Sequence, residues 1–345
     1  MTNILSDLKV VELATVLAGP LVGSFLGEHG ADVTKIEPPG GDVTRKWKHP
    51  EEGGCSYFAA CNWRKKSIEL NLEEPGDKAK LEEMLESADI VISNFLPRVA
   101  KKLKLTSEDI KQINSKIIHV KLLGYASDPE RPAYDAVLQA ETGWMGLNGS
   151  GESGPMKLPV AIVDLFAAHH MKQAVLLALI KRGTTGQGSV VSCDLESSAL
   201  SNLANQASLR LAGVETELNG SLHPNIAPYG DILRFPNGDI VMLAVGADAQ
   251  FESLCKILEC EKIIQDKRFT TNSMRVLNRG ELITQLQQKA RYMSVSDFLQ
   301  KSHELNVPAG RVNSLTHVLN QKHVKPLVVP DDWGSRITTS PFTID

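Results

Sequence analysis

Lys9-Val10-Val11-Glu12-Leu13 is the stretch that decides the fold, because this short apolar run predicts a β-strand. Pro20 follows where the first turn of a helix tolerates proline, and Gly30 predicts the end of that helix. Ala31 to Ile36 is the next apolar run and predicts a second strand. A strand, a helix and a strand in this order predict a βαβ unit with parallel strands.

The same alternation continues and predicts a doubly wound α/β domain, in which helices cover both faces of a parallel sheet. Its further predicted elements are strands over residues 67–72, 89–93 and 117–123, a helix over residues 77–87, and a helix that begins at Thr106 with Asp109 three residues later.

The pattern of predicted elements changes after residue 212. Asn237-Gly238 predicts a hairpin between strands at 231–235 and 240–245, and helices are expected near 248–259, 275–291 and 294–305. The sequence therefore predicts a large α/β domain over residues 1–212 completed by segment 311–345, a linker over 213–224, and a small α+β domain over 225–310.

Composition excludes several classes of protein. Hydrophobic residues make up 42% and charged residues 23% of the 345 residues, which is typical of a globular protein and excludes a disordered chain. A net charge of −4 argues against coating nucleic acid or membranes. Five cysteines without a CxxC motif favour free thiols in a reducing cytoplasm, and the apolar run over 174–180 is far shorter than a membrane span.

The familiar cofactor motifs are missing from the sequence. It has no P-loop, HExxH or GxSxG, and no GxGxxG between a strand and a helix, so a phosphate cradle of the ATP or NAD type is not expected. His169 and His170 are neighbours on a predicted helix and point about 100° apart, which prevents joint metal ligation. We expect no metal and no permanently bound cofactor.

One carboxylate stands out by its apolar surroundings. Asp164 lies between Val163 and Leu165, at the predicted start of a helix over residues 165–182. On its own this pattern is typical of a helix N-cap, and the helix terminus is expected to favour the ionised carboxylate. Basic residues also cluster around positions 45, 65 and 102, near predicted strand ends. Such clusters are usually solvated, but in a doubly wound sheet they lie where a polyanion would bind.

Six motifs, taken in order, resemble the class III coenzyme A transferases, also called the CaiB/BaiF family. They are Val16-Leu17-Ala18-Gly19-Pro20, the stretch Gly30 to Asp42, Asn62-Trp63-Arg64-Lys65-Lys66-Ser67, Asn94-Phe95-Leu96-Pro97, Tyr134-Asp135 with Gln139-Ala140, and Val163-Asp164 followed by Thr185-Gly186-Gln187-Gly188.

The resemblance implies a Rossmann-like large domain, a smaller domain and an interlocked homodimer. It makes Asp164 the catalytic nucleophile, with acyl-CoA and a small carboxylic acid as substrates and with aspartyl anhydride and aspartyl-CoA thioester intermediates. It also implies that CoA binds Leu17, Ala18, Asn62, Arg64, Lys65, Asn94, Phe95, Lys102, Tyr134 and Asp135. Lys102 stands where the family frequently carries arginine, a change that retains the charge but loses the bidentate fork. Pro38 stands where some members carry arginine, so one phosphate contact is open there.

Two alternatives stay open in the sequence. Racemases of the same family carry a histidine where this chain has Tyr134, and an unperturbed tyrosine is a poor base near pH 7, which favours the transferase. A CoA-binding protein without turnover is the second alternative, since His223-Pro224-Asn225-Ile226 replaces the multi-glycine loop of the formyl-CoA branch. That replacement also argues against formyl-CoA and oxalate as substrates. The sequence does not identify the acids.

Overall fold

The computed structural model describes residues 3–47, 49, 54–215, 218–331 and 333–344. Its first half contains β1 (Lys9–Glu12), α1 (Ala18–Glu28), β2 (Asp32–Glu37), α2 (Ser56–Asn62), β3 (Lys65–Glu69), α3 (Pro75–Ser87), β4 (Ile90–Ser93), α4 (Pro97–Lys102), α5 (Ser107–Ile113), β5 (Ile118–Leu123), α6 (Asp135–Glu141), α7 (Trp144–Leu147), β6 (Gly149–Ser150), β7 (Gly154–Pro155) and α8 (Ile162–Thr185).

The second half contains β8 (Ser189–Asp194), α9 (Leu195–Ser201), α10 (Ala204–Leu211), β9 (Tyr229–Arg234), β10 (Ile240–Ala244), α11 (Asp248–Ile257), α12 (Asn272–Leu277), α13 (Arg279–Ala290), α14 (Val295–Glu304), β11 (Ala309–Arg311), α15 (Leu315–Leu319), β12 (Val328–Asp331) and β13 (Gly334–Ile337).

A parallel sheet forms the centre of the first half. In the described residues it has six strands in the order β3-β2-β1-β4-β5-β8, and every neighbouring pair is parallel. This confirms the predicted doubly wound fold. The strand order reverses between β1 and β4, which is the position where such sheets bind ligands.

Two strands depart from the predicted pattern. The predicted strand 67–72 begins earlier, at Lys65, because the Lys65 side chain passes into the core to meet Glu12 and so occupies an inward strand position. The edge strand β8 has no counterpart among the predicted strands, since its alternation of buried and exposed residues is weak around Val190 and Val191.

Alternate side chains of the strands fill two separate cores. Val10 and Ile92 point to the face covered by α1 and α8, whereas Val11 and Val91 point to the face covered by α3 and α5. Helix α8 is long and apolar enough to cross a membrane by length and composition alone. However, Met171 is among its residues that are buried in the first core, and core helices meet the same criteria.

The chain separates into two compact units with breaks after residues 145, 156, 214 and 321. The first unit holds the parallel sheet and the segment from 322 onward, and the second holds residues 146–156 and 215–321. The sequence places the corresponding limits at 212, 225 and 310. The glycine-rich residues 148–155 contain the small hairpin of β6 and β7.

The second unit is built on an antiparallel sheet in the order β11-β10-β9. Asn237, in the left-handed region at φ 68°, and Gly238 turn the chain between β9 and β10, as predicted. The predicted helix over 275–291 is divided into α12 and α13 at Asn278, whose side-chain amide donates to the carbonyls of Arg268 and Met274. Helices α11, α13 and α14 supply about half of the buried core residues of this unit, and β9, β10 and the connecting segments supply the rest.

The C-terminal segment packs back on the first unit. Glu28 of α1 forms a buried ion pair with Arg336 and accepts from the backbone N–H of Thr339 at 3.0 Å. The indole N–H of Trp63 donates to the carbonyl of Pro330 at 2.9 Å. These contacts fix the segment against α1 and the end of α2.

Candidate active site

The carboxyl ends of β1 and β4 are joined by one side chain. Asn94, directly after β4, accepts from the N–H of Thr15 at 3.2 Å and donates to the carbonyl of Thr15 at 3.1 Å. Because Thr15 follows β1, this pair of hydrogen bonds holds the chain at the point where the strand order reverses. Asn94 therefore shapes the edge at which a ligand is expected.

Two cavities lie along this edge. One has a volume of about 190 Å³ and is lined by Asn94, Phe95 and Tyr134 together with the end of β5. The other, of about 290 Å³, is lined by Phe95, Pro38 and Glu73 among others. Phe95 contributes to both, so the structure brings three of the predicted CoA residues, Asn94, Phe95 and Tyr134, to one place.

The predicted phosphate ligand Lys102 does not line the larger cavity itself, but it pairs with Glu73 and precedes Leu103, which both do. Lys102 ends α4, is two-thirds exposed, and its ammonium meets the Glu73 carboxylate at 2.5 Å. That ammonium holds the pKa of Glu73 below its usual value. Arg64 is also exposed, has a left-handed φ of 58°, and stacks its guanidinium on the Trp63 ring.

Asn62 and Lys65 lie in the interior rather than in a cavity. The Lys65 side chain is 1% exposed, and its ammonium donates to Glu12, to the Asn62 side chain at 3.0 Å, and to the carbonyls of Pro20 and Cys61. Its hydrogen-bonding capacity is therefore used within the protein, where it joins the start of α1 to the end of α2.

Glu12, Lys35, Asp42 and Lys65 form a cluster that we call the buried charge quartet. Lys35 meets Glu12 at 3.1 Å and Asp42 at 3.0 Å, and Lys65 meets Glu12 at 2.8 Å. The four side chains are at most 1% exposed. Two positive and two negative charges thus offset one another beneath α1.

The start of α8 differs from the prediction. The helix begins at Ile162, so Asp164 is its third residue and the expectation that Asp164 is the N-cap is wrong. The residue that caps the helix is Asp135 of α6, whose Oδ1 accepts from the N–H of Val163 at 2.8 Å. Asp164 is left with no hydrogen-bond partner for its carboxylate among the described residues.

The environment of Asp164 disfavours its ionised form. Burial raises the pKa of this carboxyl from its ordinary value to about 7, and the negative charge of Asp135 adds to the effect. The expected stabilisation of the anion by the helix terminus is therefore outweighed. Near pH 7 both the acid and the carboxylate are populated, which is suited to a group that must act as a nucleophile or base.

A small apolar cluster borders Asp164. Leu165 and Leu17 pack with Leu21, Cys61 and Ala168, so α1, α2 and α8 meet beside the carboxyl. The structure thus packs the predicted residue Leu17 in the same cluster as Leu165, the chain neighbour of Asp164. Ala18, next to Leu17, is buried in the core between α1 and the sheet.

Tyr57 of α2 was not identified by the sequence analysis. Burial and the charge of Asp164 raise the pKa of its phenol to about 12, so it is a neutral hydroxyl near pH 7. Its ring meets Trp47 edge to face at 5.2 Å. No local motif marks Tyr57, because its closeness to Asp164 arises from the packing of α2 on residues 100 positions later.

No group of three or more metal-ligating side chains was found in the part of the chain that the structure describes.

A family model, CoA-transferase family III, matches residues 5–329. The chain belongs to CoA-transferase family III. It is 34% identical over 333 residues to the succinate–glutarate CoA-transferase of Agrobacterium fabrum, covering 93% of this chain and 83% of the relative. It is also 34% identical to the human succinyl-CoA:glutarate CoA-transferase, covering 94% of this chain and 75% of the relative.

A solved structure agrees with this assignment. A CaiB/BaiF family protein from Brucella suis superposes with a TM-score of 0.90 at 35% identity, covering 100% of this chain and 93% of that one. The resemblance found in the sequence is thus confirmed. The protein is a CoA-transferase of family III, and CoA thioesters are substrates of this class.

Proposed function

We propose that this CoA-transferase moves CoA from succinyl-CoA to a second dicarboxylic acid of similar size, such as glutarate, through Asp164. The single observation that carries the proposal is a half-buried carboxyl in the first turn of α8 that has no hydrogen-bond partner among the described residues and lies near the negative charge of Asp135. The choice of acids rests on the two relatives at 34% identity, whose names state succinate and glutarate.

In the proposed reaction the Asp164 carboxylate attacks the thioester carbonyl, and the CoA thiolate leaves as a mixed anhydride forms. The thiolate then attacks the Asp164 carbonyl, which releases the first acid and leaves an aspartyl-CoA thioester. The incoming carboxylate reverses these two steps. Each step exchanges one acyl bond for another, so the thioester energy is retained without an added cofactor.

The protein geometry supports the nucleophile in two ways. A carboxylate with a raised pKa is more basic than an ordinary one, and no hydrogen bond among the described residues occupies its oxygens. The backbone N–H of Asp164 also meets no acceptor among the described residues, whereas those of Ile162 and Val163 donate to Val160 and Asp135. That N–H is the donor in the first turn of α8 that we assign to a developing oxyanion.

For the CoA moiety we propose contacts with the residues at the two cavities. Asn94, Phe95 and Tyr134 would hold the pantetheine portion, and Lys102 and Arg64 would meet phosphates. Leu17 would line the path to Asp164, whereas we assign Ala18, which is buried in the core, to the packing of α1. We assign Asn62 and Lys65 to holding α1 and α2 in place rather than to direct contact, because the Lys65 ammonium is enclosed.

We further propose a cytoplasmic homodimer. The outer face of α8 and the edge strand carry exposed apolar side chains, among them Leu177 and Ile180, both 67% exposed, and Val190 at 52%. The five cysteines are unpaired, as in a reducing compartment. Light scattering after gel filtration tests the dimer, and a monomer at micromolar concentration would contradict it.

A panel of acyl-CoA donors and carboxylic acids, followed by mass spectrometry, tests the function. We expect CoA exchange between succinyl-CoA and glutarate, and its loss in Asp164→Asn. Transfer that survives in this variant would refute the mechanism. Deuterium uptake at the α-carbon without an acceptor acid would support the racemase instead, and binding of CoA with neither reaction would support the non-catalytic alternative.

A further inference from the structure

The N-terminus of α8 has an unusual source of capping. Ala161 precedes the helix and offers no side-chain acceptor. The cap is supplied by Asp135, 28 residues earlier on α6, through the 2.8 Å hydrogen bond from the N–H of Val163. The carboxylate that uses the helix terminus is therefore not the carboxylate that we assign to the chemistry.

Gln139 secures this arrangement from one turn further along α6. Its side chain is fully buried. Its amide nitrogen donates to the second oxygen of Asp135 at 2.6 Å and to the carbonyl of Val160 at 3.2 Å. Its amide oxygen accepts from the N–H of Leu158 at 2.8 Å. One amide thus fixes both Asp135 and the chain that leads into α8.

We propose that Asp135, held by Gln139, is a positioning residue that takes the capping role at α8 and thereby leaves the Asp164 carboxyl uncapped beside a second negative charge. This inference rests on the proposed role of Asp164 as nucleophile. It assigns Asp135 a role different from the contact with CoA that the family resemblance implies.

The chemical consequence follows from what a cap does to a carboxylate. Oxygens that accept hydrogen bonds from a helix terminus are stabilised as anions and lose nucleophilicity. Because Asp135 accepts the Val163 N–H, this donor of the first turn is already used and is not open to the Asp164 carboxylate. The charge of Asp135 also opposes ionisation of Asp164, in agreement with its raised pKa.

The neighbouring elements leave Asp135 as the dominant charge at Asp164. On α2, Tyr57 and Cys61 are neutral near pH 7, because burial raises both of their pKa values to about 12. Residues 18–24 of α1 include no titratable side chain. Two further acidic side chains of neighbouring elements interact elsewhere. Asp194 at the end of β8 caps α9, and the charge of Glu196 on α9 acts on Tyr125.

The test compares two capping carboxylates. Asp135→Asn keeps an acceptor oxygen for the Val163 N–H but removes the charge and the acceptor of the Gln139 amide, and Asp135→Ser removes both with a smaller group that brings no second donor against Gln139. Asp109→Asn is the matched control, because Asp109 also accepts from a backbone N–H at the start of a helix, at 2.9 Å, and lies on the distant α5. Gln139→Met removes the anchoring amide without changing the charge.

The readouts are the infrared pH titration of the protonated Asp164 carboxyl, assigned by its absence in Asp164→Asn, and the pH dependence of kcat/KM with succinyl-CoA and glutarate. We expect both midpoints to fall by about one pH unit in Asp135→Asn or Asp135→Ser. In Gln139→Met we expect kcat to fall while the midpoint stays, and in Asp109→Asn we expect neither change.

Unchanged midpoints in both Asp135 variants would overturn the proposal, and so would a shift of equal size in Gln139→Met or Asp109→Asn. The infrared titration reports on Asp164 whether or not CoA is transferred. Failure of the proposed function, seen as transfer that persists in Asp164→Asn, is therefore distinguishable from failure of this inference.

Discussion

The buried charge quartet and the Asp164 site surround their carboxylates with opposite charges. In the quartet, Glu12 meets the ammonium groups of Lys35 and Lys65, and Asp42 meets that of Lys35, all within 3.1 Å. At the Asp164 site the neighbouring charge is another carboxylate, Asp135, and the pKa rises to about 7. The quartet is fully enclosed whereas Asp164 is half-buried, but the main difference is that the quartet carboxylates are paired with cations and Asp164 is not.

This difference distinguishes carboxylates that stabilise the structure from a carboxyl that is suited to chemistry. A paired buried charge adds little net stability but is costly to break, so it holds a geometry. An unpaired buried carboxyl keeps a high proton affinity and open oxygens, which are properties of catalytic groups. The quartet fixes α1 and α2, and these helices supply Leu17 and Tyr57 to the Asp164 site.

The largest effect is expected from breaking the pairing in the quartet. Lys65→Met leaves Glu12 with Lys35 as its only cation in the quartet, and we expect the free energy of unfolding to fall by about 3 to 5 kcal/mol. Urea unfolding measures it. Lys66→Met is the control, because Lys66 forms an exposed ion pair with Asp32 and its loss is expected to cost about 1 kcal/mol or less. Equal losses in the two variants would contradict the distinction.

The next largest effect is expected from a side chain added where α1 packs against Glu12 of the quartet. A Cβ added at Gly23 in α1 would stand 1.9 Å from Glu12 Oε2. We expect Gly23→Ala to lower the free energy of unfolding by about 1 to 3 kcal/mol. Gly76 in α3 has no atom within 4 Å of such a Cβ, so Gly76→Ala is expected to raise stability by about 0.5 to 1 kcal/mol. Urea unfolding measures both changes. Changes in the free energy of unfolding of the same sign in the two variants would contradict the packing described.

Replacement of Asp164 tests how its unpaired carboxyl affects the pH dependence of stability. The proton on Asp164 stabilises the folded state, because the folded pKa of about 7 lies above the ordinary value near 4. That stability is fully present below the ordinary value and is lost as the pH rises through 7. Asp164→Asn should therefore gain about 2 kcal/mol relative to the parent between pH 5 and pH 8. Thermal unfolding at both pH values checks this, and a constant difference would argue against the raised pKa.

The smallest effect is expected at the surface. Lys102 is two-thirds exposed and pairs with Glu73 at the cavity rim. We expect Lys102→Met to raise the KM for acyl-CoA several-fold at low salt, and less at high salt, with kcat little changed. Lys111→Met on α5 is a control for charge alone. A fall in kcat with an unchanged KM would place Lys102 in another role.

Local signals predicted the fold well. The apolar runs at Val10, Val33 and Val120 lie in buried parallel strands, and Thr106 with Asp109 forms the capping box that their spacing predicts. These features depend on residues a few positions apart. Strand periodicity and cap spacing therefore carry them in the sequence.

The site was predicted less completely, because its contacts join distant segments. Asp164 was found through its motif, but its cap comes from Asp135 on another helix and its neighbour Tyr57 comes from α2. Lys65 reads as a surface cation in a basic run, yet its ammonium is enclosed. A pKa depends on burial and on charges gathered in three dimensions, so no sequence spacing predicts it.

The most direct test of the central claim is mass spectrometry of the protein after brief incubation with succinyl-CoA and rapid acid quenching. The account predicts a covalent CoA adduct on the peptide that carries Asp164, formed as succinate is released, and its absence in Asp164→Asn. An adduct on a different residue, or CoA transfer to glutarate with no covalent intermediate at any quench time, would contradict the account.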